Sequence, residues 1–312
     1  MGSVAAPLTG HIDVALTNFS KGYRQNELIA DVLAPRVPVA KQSGKYWIFG
    51  QEDKELTEQT LRAPGAVPQE SRMSLSSDSY FCDSHALQDV LPAETEANYE
   101  AGNMEQDTTG QLQGKILLDR EVALAAKLTS TAVLTQNVTL AGGDQFSDYA
   151  NSDPGGVVET AIAKIVLEAG VKPNVMAMGD PVFRILRNHP VIKKQFAYSQ
   201  RDKLSEQDLA TFFGIERVIV GSAVKRAAGA NSFVWGKDIV IAYANPSAAE
   251  KDISLAKTFV WSGAPMTIGG YGVMVFPHPM QSAKAKIVSV DFYYGQKVVA
   301  VEGGYLIKAA VA

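Results

Sequence analysis

A chain of 312 residues, 46% hydrophobic and 20% charged, can bury a full core in one or two domains. Its composition excludes extended disorder and collagen-like structure. A single cysteine, Cys82, excludes an internal disulfide, four histidines lack zinc-ligand spacing, and no apolar run approaches the ~20 residues that span a bilayer.

The N-terminal stretch, residues 1–10, lacks the apolar core of a signal peptide. The net charge of −4 is unevenly placed. Residues 1–44 carry 4 basic and 3 acidic groups, residues 45–110 carry 4 and 13, and residues 111–312 carry 21 and 17. An acidic segment joined to a mildly basic remainder suggests surfaces that meet, within one copy or between copies. A solvated acidic face is the plainer alternative. There is no basic stripe of the kind that grips nucleic acid.

Residues 1–44 read as an arm. Leu28, Ile29, Val32 and Leu33 form short apolar patches. Pro35 and Pro38 then enforce extended backbone around Val37 and Val39 and deny it an interior sheet position. Such a strip has too few neighbours to form a core and needs cover from another surface. On that expectation, Leu33→Asp weakens assembly more than subunit folding. Tyr46, Trp47, Ile48 and Phe49 have strand composition, as do Tyr80–Cys82 and His85–Leu87. The polar stretch 50–78 between them describes a projecting two-stranded loop.

A long helix is predicted over 107–133, with one apolar stripe through Leu112, Ile116, Val122, Ala123, Ala126 and Val133 and another through Leu117, Leu124 and Leu128. Two stripes imply contact from two sides. A mixed α/β pattern follows. Asp153 caps a helix with Pro154 in its first turn and Gly170 at its end. A buried strand covers 173–178, Asp180-Pro181 opens a helix broken at Pro190, and Ser205 with Asp208 caps a helix closing at Gly214. Strands are predicted at 216–221, 232–235 and 238–243. The stretches 286–294, 298–301 and 305–308 read as a closing β-meander.

No chemical motif survives scrutiny. Gly269, Gly270 and Gly272 lack dinucleotide-binding spacing and read as a tight turn, and no nucleophile elbow or phosphate loop occurs. His278 lies between two prolines in an expected rigid loop, and His189 precedes Pro190 as a cap or packing residue. Strand alternation places Cys82 and His85 on opposite faces. Glu94 and Glu96 share one side of an extended segment and offer at most a generic cation contact.

The phrase Leu28-Ile29-Ala30-Asp31-Val32-Leu33-Ala34-Pro35-Arg36-Val37-Pro38-Val39, followed by Ser43-Gly44-Lys45-Tyr46, resembles the arm that leads into the extended loop of tailed-phage major head proteins of the Hong Kong 97 fold. Asp291-Phe292-Tyr293-Tyr294-Gly295 through Gly304-Tyr305-Leu306-Ile307 resembles their final strands. The resemblance implies an α+β coat fold. Residues 1–44 would be the N-terminal arm and 45–90 the extended two-stranded loop. Residues 91–152 with 284–312 would be the peripheral domain with its long spine helix, and 153–283 the mixed α/β axial domain.

It further implies a non-enzymatic subunit without cofactor or metal, assembling as hexamers and pentamers into an icosahedral shell around double-stranded DNA. A scaffolding protein, a portal and a decoration protein would be its partners. It would have no membrane association, and would reach the virion after assembly in the host bacterial cytoplasm. Contacts between subunits are expected at Leu28, Ile29, Val32, Leu33, Val37, Val39, Trp47, Phe49, Leu61 and Arg62. No crosslinking lysine–asparagine pair could be matched, so assembly is expected to be noncovalent. The competing readings are an encapsulin-like nanocompartment, an α/β enzyme built on 153–283 and a phage tail or decoration component.

Overall fold

The computed structural model describes residues 11–12, 28–49, 60–62, 64–65, 67–68, 70, 75–100, 102–196, 203–227, 229–245, 253–280 and 284–312. In chain order the first elements are β1 (His11–Ile12), α1 (Ala30–Leu33), β2 (Arg36–Val39), β3 (Ser43–Phe49), β4 (Leu75–Phe81), β5 (Asp83–Pro92), α2 (Ala93–Ala97) and α3 (Met104–Leu128). Then come β6 (Asn137–Thr139), α4 (Pro154–Ala169), β7 (Val175–Gly179), α5 (Asp180–Leu186), α6 (Pro190–Gln195), α7 (Glu206–Phe213) and β8 (Arg217–Gly221). The chain closes with β9 (Val224–Ala227), β10 (Ala230–Phe233), β11 (Ile239–Ala242), β12 (Ala256–Trp261), β13 (Tyr271–Met280), β14 (Ala285–Val298) and β15 (Gly304–Lys308).

Local chemistry explains most of the boundaries. The Asp153 side chain accepts from the Gly156 N–H at the start of α4, and Gly170 ends it at φ 64°, a left-handed turn that glycine adopts without strain. Ser205 and Asp208 form the reciprocal capping box of α7. Helix α3 starts where Asn103 accepts from the Glu105 and Gln106 N–H groups, and acidic residues in its first turn and Lys127 in its last complement its dipole. It stops at Leu128, short of the expected 133. Thr129, Ser130 and Thr131 follow, and such hydroxyl side chains compete for backbone hydrogen bonds.

Two sheets organise the body. The first is built on β14, which pairs antiparallel with β5 over residues 285–294, with β13 from residue 285 to 292 and with β12 over residues 294–298. Strand β2 adds in parallel beyond β12 as an edge, the position its Pro38 requires. The second sheet has the order β6-β15-β11-β7-β8. Its central strands are buried on both faces. Met176, Met178, Ile239 and Ile241 face a core with Val158, Ile165, Val182, Ile192 and Leu209 from α4 to α7. Val175, Ala177 and Val240 face a second core with Leu124, Ala125 and Leu128 of α3.

Helix α3 therefore spans two cores. Leu112 and Ile116, in its first half, pack on Val260, Val273, Val288, Val290 and Phe292 of the first sheet, and its last turns pack on the second. The first predicted stripe is split between the cores, Leu112 and Ile116 in one and Val122 at the other, where Leu124 and Leu128 of the second stripe also pack. Val133 lies past its end and Ala126 is exposed.

The closing meander is not observed. Residues 285–298 form one strand running straight through Gly295, and β15 leaves that sheet to pair antiparallel with β11 and in parallel with β6. Gly295 reads as a turn residue, but its role is close approach: a Cβ there would overlap the Phe81 carbonyl oxygen. Strand pairing also cuts across the expected boundary at 283/284. Strands β12 and β13 join β14, whereas β15 sits inside the second sheet. Apolar runs announce strands but not their partners. His278 lies within β13 rather than in a loop, at the register break between Phe276 and Met280 that its flanking prolines impose. Glu94 and Glu96 lie on α2, and Glu96 Oε1 pairs with Lys286 Nζ at 2.8 Å.

Gly295→Ala is expected to lower subunit stability by ~1–3 kcal/mol through this steric conflict, read from urea unfolding midpoints. An unchanged midpoint would place the Phe81 backbone elsewhere.

Candidate assembly site

The arm segment is held by an anchor that composition did not reveal. The Glu121 carboxylate of α3 is fully buried. Its Oε2 accepts from the Ala30 N–H at 2.8 Å, and its Oε1 accepts from the Ile29 N–H at 3.1 Å and from Trp235 Nε1 at 2.6 Å. These donors are the open end of α1 and an indole beneath the second sheet. One carboxylate thus joins arm, long helix and sheet. Burial drives the Glu121 pKa above the usual carboxylate range, and the three donors and nearby Arg120 offset that only in part.

Beside it, Asp31 bridges two guanidinium groups. Arg36 reaches it with Nε at 2.7 Å and Nη2 at 2.6 Å, and Arg120 with Nη2 at 2.9 Å. Burial opposes ionisation of Asp31, but the two arginines win and its pKa lies below the usual value. Arg36 also donates to the Tyr271 hydroxyl, and both arginines lie over the Phe292 ring.

Ile29, Leu33, Val37 and Val39 are accordingly buried in the chain's own cores, and Leu33 is 0% exposed. The expectation that this strip lies uncovered in an isolated copy is corrected. Four apolar side chains found cover on α3 and β12 because buried charges on α3 fix the register of the arm. Leu28 and Val32 are half-buried against the same core. Arg120, Glu121, Trp235 and Tyr271 escaped sequence reading. Asp119-Arg120-Glu121 looks like an exposed turn of an amphipathic helix, and the available signal was its place between the two apolar stripes.

The expected loop of 45–90 divides: residues 83–90 lie in β5 of the first sheet, and the two-stranded part is β3 with β4. Strands β3 and β4 form a two-stranded antiparallel ribbon in register from Ser43↔Phe81 to Phe49↔Leu75, hydrogen-bonded to no other strand among the described residues. Its root is fixed by Phe259, on which Tyr80 stacks with centroids 4.7 Å apart and against which Tyr46 packs at 5.4 Å. Cys82, beside this root, is buried with Sγ 3.5 Å from the Phe259 carbonyl oxygen, and burial raises its thiol pKa to about 11, an inert thiol. On β3 Trp47 is 46% exposed, and in the segment between the two strands Leu61 is 87% exposed and Arg62 is exposed. Most of 50–74, and the side chain of Phe49, lie outside the described residues.

A serine–histidine pair occurs at Ser152 Oγ and His189 Nε2, 3.1 Å apart. It cannot work as nucleophile and base. His189 Nδ1 accepts from the Val191 N–H at 3.3 Å, so the neutral ring carries its proton on Nε2, facing the hydroxyl it would have to deprotonate. Among the described residues no group of three or more His, Cys, Asp or Glu could hold a metal ion, and no helix is long and apolar enough to cross a membrane.

An anchored arm, a free ribbon, a long helix over a sheet and a second two-cored body make up a phage coat protein of the Hong Kong 97 fold. The capsid of cyanophage P-SCSP1u shares this fold, with a TM-score of 0.59 at 11% identity over 99% of this chain and 94% of that one. A crystal structure of a phage-related protein from Bordetella bronchiseptica RB50 superposes with a TM-score of 0.78 at 25% identity, over 97% of this chain and 98% of that one.

Residues 105–270 match the family described as Phage major capsid protein E. The major capsid protein of Burkholderia phage BcepMu is 31% identical over 242 residues, covering 74% of this chain and 76% of that protein. The chain belongs to the phage major capsid protein E family, and it is a structural subunit of a phage head rather than an enzyme.

Leu33→Ala is expected to lower subunit stability by about 2–5 kcal/mol in urea unfolding, and Leu33→Asp to abolish folding of the unassembled subunit. A stable soluble Leu33→Asp subunit that fails only to assemble would restore the strap reading of this residue.

Proposed function

We propose that this chain tiles noncovalently, as hexamers and pentamers, into the closed head shell around double-stranded DNA, and that its β3–β4 ribbon with the 50–74 segment is the part each copy lends to its neighbour. The observation that carries this reading is the contrast between body and ribbon. The arm residues 28–39 are satisfied within one copy, whereas the ribbon leaves both strand edges and its exposed Trp47, Leu61 and Arg62 without partners among the described residues. A two-stranded ribbon alone is marginal in water, and free strand edges invite pairing. Seated on a second copy, such a ribbon contributes to interfaces on the scale of ~2,000 Å² found in permanent complexes. Many such contacts per subunit stabilise a closed shell although each is weak enough to correct errors.

Of the ten assembly positions expected from sequence, Trp47, Leu61 and Arg62 remain as proposed contact residues. Phe49 belongs to the same ribbon. Leu28, Ile29, Val32, Leu33, Val37 and Val39 act instead by holding the ribbon's attachment rigid. A scaffolding protein, a portal and a decoration protein fit as partners, and the net charge of −4 suits a container that holds DNA by confinement rather than adhesion. A chain without a disulfide fits assembly in the host bacterial cytoplasm.

Replacing 50–74 by Asn-Gly, a turn suited to closing paired strands that end at Phe49 and Leu75, tests the reading. The expected product is a folded subunit with an unfolding midpoint close to that of the full chain and no shells in negative-stain images. Normal shells from the shortened chain would remove the loop from assembly.

A further inference from the structure

His189 joins two surface segments of the second body through a chain of hydrogen bonds that fits one protonation state. The ring is 0% exposed, between α5 and α6. Its Nδ1 caps α6 by accepting from the Val191 N–H at 3.3 Å. The proton on Nε2 points to Ser152 Oγ at 3.1 Å, and the Ser152 hydroxyl donates to the Asp148 carbonyl at 2.5 Å. Every donor in this chain meets an acceptor. Tyr149 closes the ring's surroundings edge-on, with centroids 5.3 Å apart.

We propose that His189 is an acid-released latch: a proton arriving on Nδ1 sets one N–H against the Val191 N–H and uncaps α6, while the Nε2–H keeps its bond to Ser152 Oγ. Helix α6 spans six residues and buries only Ile192, so it has little to hold it once the cap is lost. The sheet behind it depends on other contacts. Strands β7 and β11 are paired with each other and buried on both faces, and neither touches the proton. Mild acid would thus rearrange one patch of the subunit surface without unfolding the body.

The charged group acting on the ring is Asp153, the cap residue of α4, which favours protonation. Burial acts more strongly in the opposite direction, so the His189 pKa lies below its ordinary value of 6.5. A depressed histidine pKa means that the unfolded chain binds the proton more readily. The stability from neutral His189 is therefore fully present above pH 6.5 and lost as pH falls below that value toward the folded pKa.

Long-range ¹H–¹⁵N NMR of the imidazole groups reads the tautomer and the titration, and hydrogen exchange corrected for its intrinsic pH dependence reads the latch. The expected spectrum shows a proton on Nε2 at neutral pH and titration below 6.5. Between neutral pH and about pH 5, exchange in residues 191–196 should rise about tenfold or more, while 175–179 and 239–242 stay protected. In His189→Asn, whose amide oxygen caps a helix without titrating, that rise should disappear. A proton on Nδ1 at neutral pH, no acid effect in the unmodified chain, or the same effect in His189→Asn would each overturn the proposal. The first two need no variant.

Discussion

The structure depends on a carboxylate buried in the middle of a helix. Glu121 satisfies two backbone N–H groups of the arm and the Trp235 indole, and so holds three parts of the chain at one point. A carboxyl group out of water is costly unless hydrogen-bonded, and here three donors far away in sequence meet it. Asp31, clasped by Arg36 and Arg120, fixes the same segment at the next residue. With the arm in this register, Leu33 enters the core, β2 aligns beside β12, and the chain leaves toward the ribbon from a fixed position.

That constraint assigns different roles to the two extended pieces. Residues 28–39 are structural and belong to the subunit's own body. The ribbon is held by Phe259, by the backbone contact that Gly295 permits and by packing of Tyr46, Ile48 and Tyr80 in one cluster with Val37, Val39, Trp261 and Val299, and its strands pair with no other strand among the described residues. A rigid attachment bearing a projecting ribbon suits a tiling subunit, because the direction of the ribbon is set before any neighbour arrives.

Local signals reported faithfully from the sequence. The caps at Asp153 and Ser205, the turn at Gly170, the edge position of the Pro38 strand and the presence of two strands around the polar stretch were legible, since each rests on chemistry within a few residues, although the second strand begins at Leu75, inside the expected 50–78. Long-range choices were not. Val298 and Tyr305 look like neighbours in a meander, yet the sheet changes between them, because strand content carries no record of its partner. The arm was misjudged for a related reason. Its apolar residues were visible, but the charged pair that captures them lay disguised within a polar-looking helix turn.

The central claim is that each copy keeps its own arm and lends its ribbon. A cryo-electron microscopy map of the assembled shell, traced through each subunit, tests it most directly. Residues 28–39 should lie on α3 of the same copy with Glu121 at their start, and 50–74 should rest on a neighbour. An arm crossing to another copy's Glu121, or a ribbon folded back on its own body, would contradict it.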